Sequence, residues 1–159
     1  MNKLRKLLRD ERGFNLIELM IVIAIIGLLI GVGSIAWGAM VRSGNETAAL
    51  QTIDRLRTYE AQYASKNRGK FGKFADLVTA GVLDKETYGT DVPVVNGYKF
   101  TLETTDPSKD APASYTIKAD PVQPTGVTAT GTRHFFTNSS LSTIKASDQG
   151  EATADSDSV

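Results

Sequence analysis

The sequence predicts an α+β protein in which one long N-terminal α-helix packs against a small antiparallel β-sheet of three to four strands. An apolar run over residues 14–41 is long enough to cross a membrane. Residues 45–63 continue with apolar side chains at the spacing of one helix face. Short stretches with period-two alternation then follow, separated by segments rich in Pro, Asp, Ser and Gly. These three observations place a helix first and a sheet after it.

The apolar run is predicted to be a transmembrane helix. Glu18 is its single charged residue, and residues 19–41 carry no charge at all. A helix of about 20 apolar residues spans the hydrocarbon core of a bilayer. Backbone groups in lipid must be bonded within the protein, so the run should be helical even though it is rich in Ile and Val.

A short basic leader precedes this run. Residues 1–13 hold five basic and two acidic residues, a net charge of +3, whereas the whole chain has a net charge of zero. Basic flanks stay in the cytoplasm, so the C-terminal part is expected to cross the membrane. An ordinary signal peptide would have a shorter apolar region, about 7–15 residues. A plain signal anchor would account for the length and the charge bias but not for Glu18.

Glu18 is the most informative residue of the run. A charged side chain in an apolar span costs a few kcal/mol, about 2.5–3.5 for Asp at the helix centre, and less near the end. Glu18 therefore either extends to the interface or pairs with a cation. A freed α-amino group at Phe14 would be such a cation, since residues four apart share one helix face. The amine could belong to the same subunit or to a neighbour.

The stretch from Glu11 to Val22, ERGFNLIELMIV, closely resembles the processing site of type IV prepilins and type II secretion pseudopilins. This resemblance implies cleavage between Gly13 and Phe14 by a membrane prepilin peptidase, and N-methylation of Phe14. Glu18 matches the assembly glutamate of the family. Asn15 stands where the family more often has Thr or Ser.

The resemblance implies a structural subunit of a type IV pilus, assembled through its N-terminal helix into a surface filament for adhesion, motility or DNA uptake, with the pilin fold. The alternative is a pseudopilin that forms a short periplasmic fibre. Expected partners are copies of the chain itself, the prepilin peptidase, and the pilus assembly platform with its ATPase motor. Direct binding of nucleic acid is not expected. The precursor would lie in the bacterial inner membrane with a periplasmic head, and the mature form in an extracellular filament.

Glycines interrupt the apolar run. Gly27 and Gly31 form a small-xxx-small pattern, which lets membrane helices approach closely, although membrane helices also tolerate glycine without such a role. In related filaments the helix often loosens near its middle, commonly at a proline. This chain has no proline before Pro93. Any loosened stretch must therefore use the glycines from Gly27 to Gly33.

The remainder divides into three predicted parts. Residues 42–67 form the amphipathic half of the helix, residues 68–147 a β-rich head with a short helix at about 74–80, and residues 148–159 a flexible acidic tail. The chain has no cysteine, so no disulfide can form. Some other device must hold the C-terminal region, or nothing does.

No catalytic, cofactor or metal site is predicted, and the chain is not expected to be an enzyme. The only histidine, His134, is interpreted as a strand residue. The acidic residues near the C-terminus fit no calcium loop; they are Asp148, Glu151, Asp155 and Asp157. Core packing and a membrane-interface Trp explain the aromatic residues more simply than an electron path does; these are Phe14, Trp37, Tyr59 and Tyr63.

Two rivals from other classes remain. A membrane-anchored binding module that never assembles would tolerate Glu18→Ala. A membrane enzyme would need a nucleophile and base or a metal cluster, and neither is apparent in the sequence. Two sequons, at Asn45 and Asn138, match the glycosylation pattern but are weak signals in a bacterial-type protein.

Overall fold

The structure is a computed structural model that describes residues 14–126 and 128–159. The predicted leader, including Gly13, lies outside the described residues. The chain divides into two compact units within its first helix, one up to Trp37 and the other over Gly38–Val159.

Helix α1 spans Leu16–Lys66, 51 residues. Asn15 caps its N-terminus, and the Asn15 Oδ1 accepts a hydrogen bond from Ile17 N over 3.3 Å. The Asn15 carbonyl accepts from the amides of Glu18 and Leu19. Such a cap satisfies amides that have no partner inside the first helical turn. The helix therefore starts two residues later than the predicted residue 14.

The second half of α1 buries one face, as its spacing predicted. Ala49, Ile53 and Leu56 are buried there. The helix ends where Arg68 and Gly69 adopt positive φ angles of 57° and 81°. Gly69 N donates to Ala64 O over 2.8 Å, which satisfies a carbonyl of the last turn.

Two short helices follow. Helix α2 spans Phe74–Thr79, close to the predicted 74–80, and the Asp76 carboxylate accepts from Lys73 N over 2.9 Å at its start. Helix α3 spans Lys85–Tyr88, where the Asp84 carboxylate accepts from Thr87 N over 2.8 Å. Helix α3 is too short for a periodic signal, and the sequence did not predict it.

The described residues form six strands, which make one antiparallel sheet in sequence order. They are β1 Val94–Val95, β2 Tyr98–Thr105, β3 Ser114–Pro121, β4 His134–Asn138, β5 Lys145–Ser147 and β6 Asp157–Ser158. The predicted number, three to four, is too low because β1 and β6 are edge strands of two residues each. Strands that short cannot show a period-two pattern.

A two-residue turn joins β1 to β2. Asn96 and Gly97 have φ angles of 48° and 75°, the left-handed region that a primed hairpin turn requires. A Cβ on Gly97 would lie 2.7 Å from Thr130 Cβ. Glycine is therefore required here by both the backbone conformation and the packing.

The hydrophobic core lies between the second half of α1 and one face of the sheet. Strands β3 and β4 alternate between buried and partly exposed residues, as half-buried strands do. Ile53 and Leu56 of α1 belong to one buried cluster with the large side chains of the sheet, which are Tyr98, Phe100, Ile117 and Phe135. Each such side chain contributes about 1.5–3 kcal/mol when fully buried.

The C-terminal segment corrects the prediction of a flexible tail over 148–159. Ala152 is only 3% exposed. Strand β6 pairs with β5, and Val159 N donates to Ile144 O over 3.0 Å. Glu151 forms an ion pair with Lys118 at 3.2 Å. The exposed edge of β5 offers backbone groups to any nearby strand, so a polar segment with no apolar period can still be held.

Candidate assembly segment and the carboxylates of the first helix

The first part of α1 exposes an apolar surface. Almost every large apolar side chain from Leu16 to Val41 is exposed. An 18-residue window of α1 near the N-terminus is long and apolar enough to cross a membrane, and none of it is buried. Apolar surfaces of this extent mark contacts with lipid or with other proteins.

Phe14 and Glu18 do not share a helix face in this structure, which corrects the expected spacing. Phe14 lies before the first helical residue and is 86% exposed. The cap at Asn15 causes this, because it ends the helical backbone there. Glu18 lies in the first turn of α1, where a carboxylate interacts favourably with the helix dipole.

The three glycines assigned to packing or loosening lie within an uninterrupted helix. Helix α1 is continuous through Gly27, Gly31 and Gly33. A Cβ built on any of them would meet no atom within 4 Å among the described residues. Their surfaces are therefore open to a close neighbour. No loosening occurs in this stretch of the described helix.

Glu46 is a buried carboxylate with a full set of partners. Its Oε1 accepts from Thr132 N over 2.9 Å and from Thr132 Oγ1 over 3.0 Å. Its Oε2 accepts from Arg133 Nε over 2.9 Å. Burial raises the pKa of Glu46, but hydrogen bonds from Thr132 and Arg133 outweigh it, so the pKa is lowered overall. This ionised group joins α1 to the chain that enters β4.

Glu60 is a buried carboxyl group with incomplete partners. It is 0% exposed, and its Oε2 accepts from Gly72 N over 3.0 Å. Its Oε1 has no hydrogen-bond partner among the described residues. Burial raises the pKa of Glu60 to about 7; the Gly72 amide lowers it, and the negative charge of Asp76 raises it.

Arg57 connects α1 to the C-terminal region. Its Nη2 donates to Leu141 O over 3.1 Å and to Ser142 O over 3.2 Å. The guanidinium is only partly exposed and also lies 3.5 Å from Asp54. Together with the pairing of β6 and β5, this contact holds the C-terminal region in place without a disulfide.

The remaining polar candidates serve the fold. His134 lies on β4, as predicted, and its Nδ1 is 2.6 Å from Asp120 Oδ1 on β3. The β3–β4 register brings the two side chains together, so sequence reasoning missed the pair. Asn45 Nδ2 donates to Thr130 O over 2.8 Å, and Asn138 Oδ1 accepts from Ser140 and Leu141. Both sequon side chains are thus used within the head.

Some of the residues considered as metal or electron-transfer candidates make other contacts in the described parts of the chain. No group of three or more His, Asp or Glu side chains there could hold a metal ion. Glu151 is engaged by Lys118. Tyr59 and Tyr63 pack against the hydrophobic core.

Comparisons with known proteins identify the N-terminal segment. A family model described as the prokaryotic N-terminal methylation motif matches residues 8–34. The matched range contains Gly13, Phe14, Glu18, Gly27, Gly31 and Gly33. No solved structure matches the chain. With a long helix packed on a small antiparallel sheet as its fold, the chain carries the signature of type IV pilins and pseudopilins.

Proposed function

We propose that this chain is the precursor of a structural subunit of a type IV pilus, used for adhesion, motility or DNA uptake. One observation carries the proposal. The exposed apolar surface of α1 coincides with the methylation motif and contains a single charged side chain, Glu18. A surface of this kind suits lipid before assembly and identical helices afterwards.

Glu18 sets the axial register of neighbouring subunits in this proposal. After cleavage behind Gly13, Phe14 would carry a free amine, which is then methylated. Because α1 begins at Leu16, that amine would stand at the end of a short non-helical segment. Such a segment favours pairing with Glu18 of a neighbour over pairing within the same helix. An unpaired charge in an apolar core is costly, so the stable axial offsets between subunits are those that place a Phe14 amine beside a Glu18 carboxylate.

Gly27, Gly31 and Gly33 are assigned to close packing between helices in the filament core. Their open surfaces support this role. The partners of the subunit would be further copies of the chain, the prepilin peptidase, and the assembly platform with its ATPase. The precursor would reside in the inner membrane with its head in the periplasm. We assign the chain no enzymatic role.

The processing step is tested by the intact mass of the mature protein. Loss of residues 1–13 together with the gain of one methyl group is expected. A chain that keeps residues 1–13 in cells that possess the peptidase would overturn the proposal.

The assembly step is tested with Glu18→Ala, with Ser34→Ala as a matched control in the same helix. Ser34 is exposed, and its hydroxyl donates to the Gly31 carbonyl of the same helix. Glu18→Ala should be inserted and processed but absent from filaments, whereas Ser34→Ala should assemble. Normal filaments from Glu18→Ala would instead indicate a membrane-anchored binding module.

A pseudopilin carries the same motif, so location separates the two assemblies. Shearing intact cells should release this subunit into the medium as long fibres. If the processed subunit assembles but stays with the cell envelope, the short periplasmic fibre of a secretion system is the correct assignment.

A further inference from the structure

Glu60 occupies an unusual position for an acidic side chain. It is wholly buried on the sheet-facing side of α1, yet one of its two oxygens has no partner in the described chain. The other oxygen is bonded to the backbone of the loop that joins α1 to α2, residues 67–73, through Gly72 N. We call these seven residues the α1–α2 loop. Glu60 therefore binds the backbone of the α1–α2 loop through this hydrogen bond.

Among the described residues, the charged and titratable groups that act on Glu60 include no cation. From α2, Asp76 adds a negative charge. From β3, Tyr115 adds a hydroxyl whose own pKa is raised by burial and in part by Glu60. Arg57, on α1 itself, acts on Tyr115 and on the carbonyls of Leu141 and Ser142. In the described part of the chain the Gly72 amide is the one donor to this carboxyl group, and it does not offset burial.

The α1–α2 loop is closely packed around this contact. Phe71 meets the ring of Tyr115 edge to face, with centroids 4.7 Å apart. Gly72 is buried, and a Cβ there would lie 3.0 Å from Tyr63 Cε1. Water can therefore reach the Glu60 oxygens only after neighbouring groups move. Of the segments packed around Glu60, the α1–α2 loop is the one without regular secondary structure. Its opening therefore costs less free energy than the opening of a helix or strand.

We propose that Glu60 is a pH-sensitive latch that keeps the α1–α2 loop closed while its carboxyl group is protonated and favours the open loop once that group can ionise in water. Opening exposes Phe71, which is partly buried, next to basic side chains that are already exposed in the closed loop, namely Lys66, Arg68, Lys70 and Lys73. This property belongs to the head and does not depend on the proposed filament role.

Linkage gives the pH window of the latch. The carboxyl group has an ordinary pKa of 4.5 and a raised pKa of about 7 when buried. The open loop gains a tenfold advantage for each pH unit between these two values, and nothing further above about 7. Closed-loop protection is therefore greatest in acid and lowest from neutral pH upwards.

The test measures amide hydrogen exchange of the α1–α2 loop in the full chain in detergent micelles from pH 4 to pH 8.5, corrected for the intrinsic rate. Protection of Gly72 should fall about tenfold per pH unit between pH 4.5 and pH 7 and be level on either side of that range. Glu60→Gln should remove this slope, and Glu46→Gln should retain it. A flat wild-type profile, or the same slope in Glu60→Gln, would overturn the latch.

A second measurement covers the case in which Glu60→Gln does not fold. The side-chain carboxyl resonance of Glu60 in the wild-type chain should titrate near pH 7. A midpoint near the ordinary value of 4.5 would overturn the proposal without the use of any variant.

Discussion

Arg133 Nε lies 2.9 Å from Glu46 Oε2. This ion pair joins α1 to the residue that directly precedes β4, which begins at His134. Thr132 completes the contact with its amide and its hydroxyl on the other carboxylate oxygen. Charge-assisted hydrogen bonds to a buried carboxylate are stronger than neutral ones and require a defined geometry. The contact fixes how the second half of α1 lies on the sheet.

Glu46→Gln should destabilise the head at neutral pH by about 1–3 kcal/mol, because the buried partners lose a charged acceptor. The pKa of Glu46 is lowered in the folded chain. Its contribution is therefore present above the unfolded value of 4.5 and is lost as the pH falls through the lower folded value. Urea unfolding followed by the near-ultraviolet circular dichroism of tyrosine measures this. Exposed Glu103→Gln is the control, and an equal effect from both variants would contradict the assignment.

Glu60 should give the stability of the head a pH dependence opposite to that of Glu46, and Glu60→Gln should abolish it. The folded pKa of Glu60, about 7, is raised above the ordinary 4.5, so stability is complete below pH 4.5 and falls as the pH rises to 7. The total loss is about 3 kcal/mol at about 1.4 kcal/mol per pH unit. Glu60→Gln should remove this loss and be more stable than the wild type at pH 8. Thermal unfolding at pH 4.5 and pH 8 measures both effects, and a less stable variant at pH 8 would refute this account.

Arg57→Met should loosen the segment after β4, because the carbonyls of Leu141 and Ser142 lose their donor. The expected cost is about 1–3 kcal/mol, typical of a hydrogen bond to a charged group. Hydrogen exchange should rise around residues 139–144. Arg55→Met, an exposed position in the same helix, should leave the exchange unchanged. If both variants exchange alike, Arg57 does not hold the C-terminal region.

Gly97→Ala should cost more than Gly81→Ala. Both glycines have a positive φ, 75° and 71°, for which alanine costs about 1–2 kcal/mol. Only Gly97 also faces a close neighbour, Thr130 Cβ, at 2.7 Å from the added methyl group. Crowding of this kind adds about 1–3 kcal/mol. Comparison of the two unfolding free energies isolates the packing effect, and equal costs would show that Thr130 moves freely aside.

Most of the fold could be predicted because helices and strands are signalled by the spacing of residues that are close together in the sequence. The apolar run is long enough to span a membrane, the stripe containing Ile53 and Leu56 has helical spacing, and β2 and β3 alternate, so these elements were predicted in order. The processing motif also lies in consecutive residues. The start of α1 was missed by two residues because the Asn15 side chain, rather than apolar spacing, ends the helical backbone.

The sequence alone therefore determined the helix, the core strands and the methylation motif of this chain. Tertiary structure decided which polar groups meet. Glu46 and Arg133 are 87 residues apart, Lys118 and Glu151 are 33 apart, and the edge strand β6 has no pattern of its own. Tertiary structure also gave two glutamates of the same helix opposite pKa shifts. The pKa of Glu46 is lowered by its hydrogen bonds, and that of Glu60 is raised by burial. The pKa of a carboxyl group depends on burial and on donors brought from distant segments, and periodicity carries no information about either.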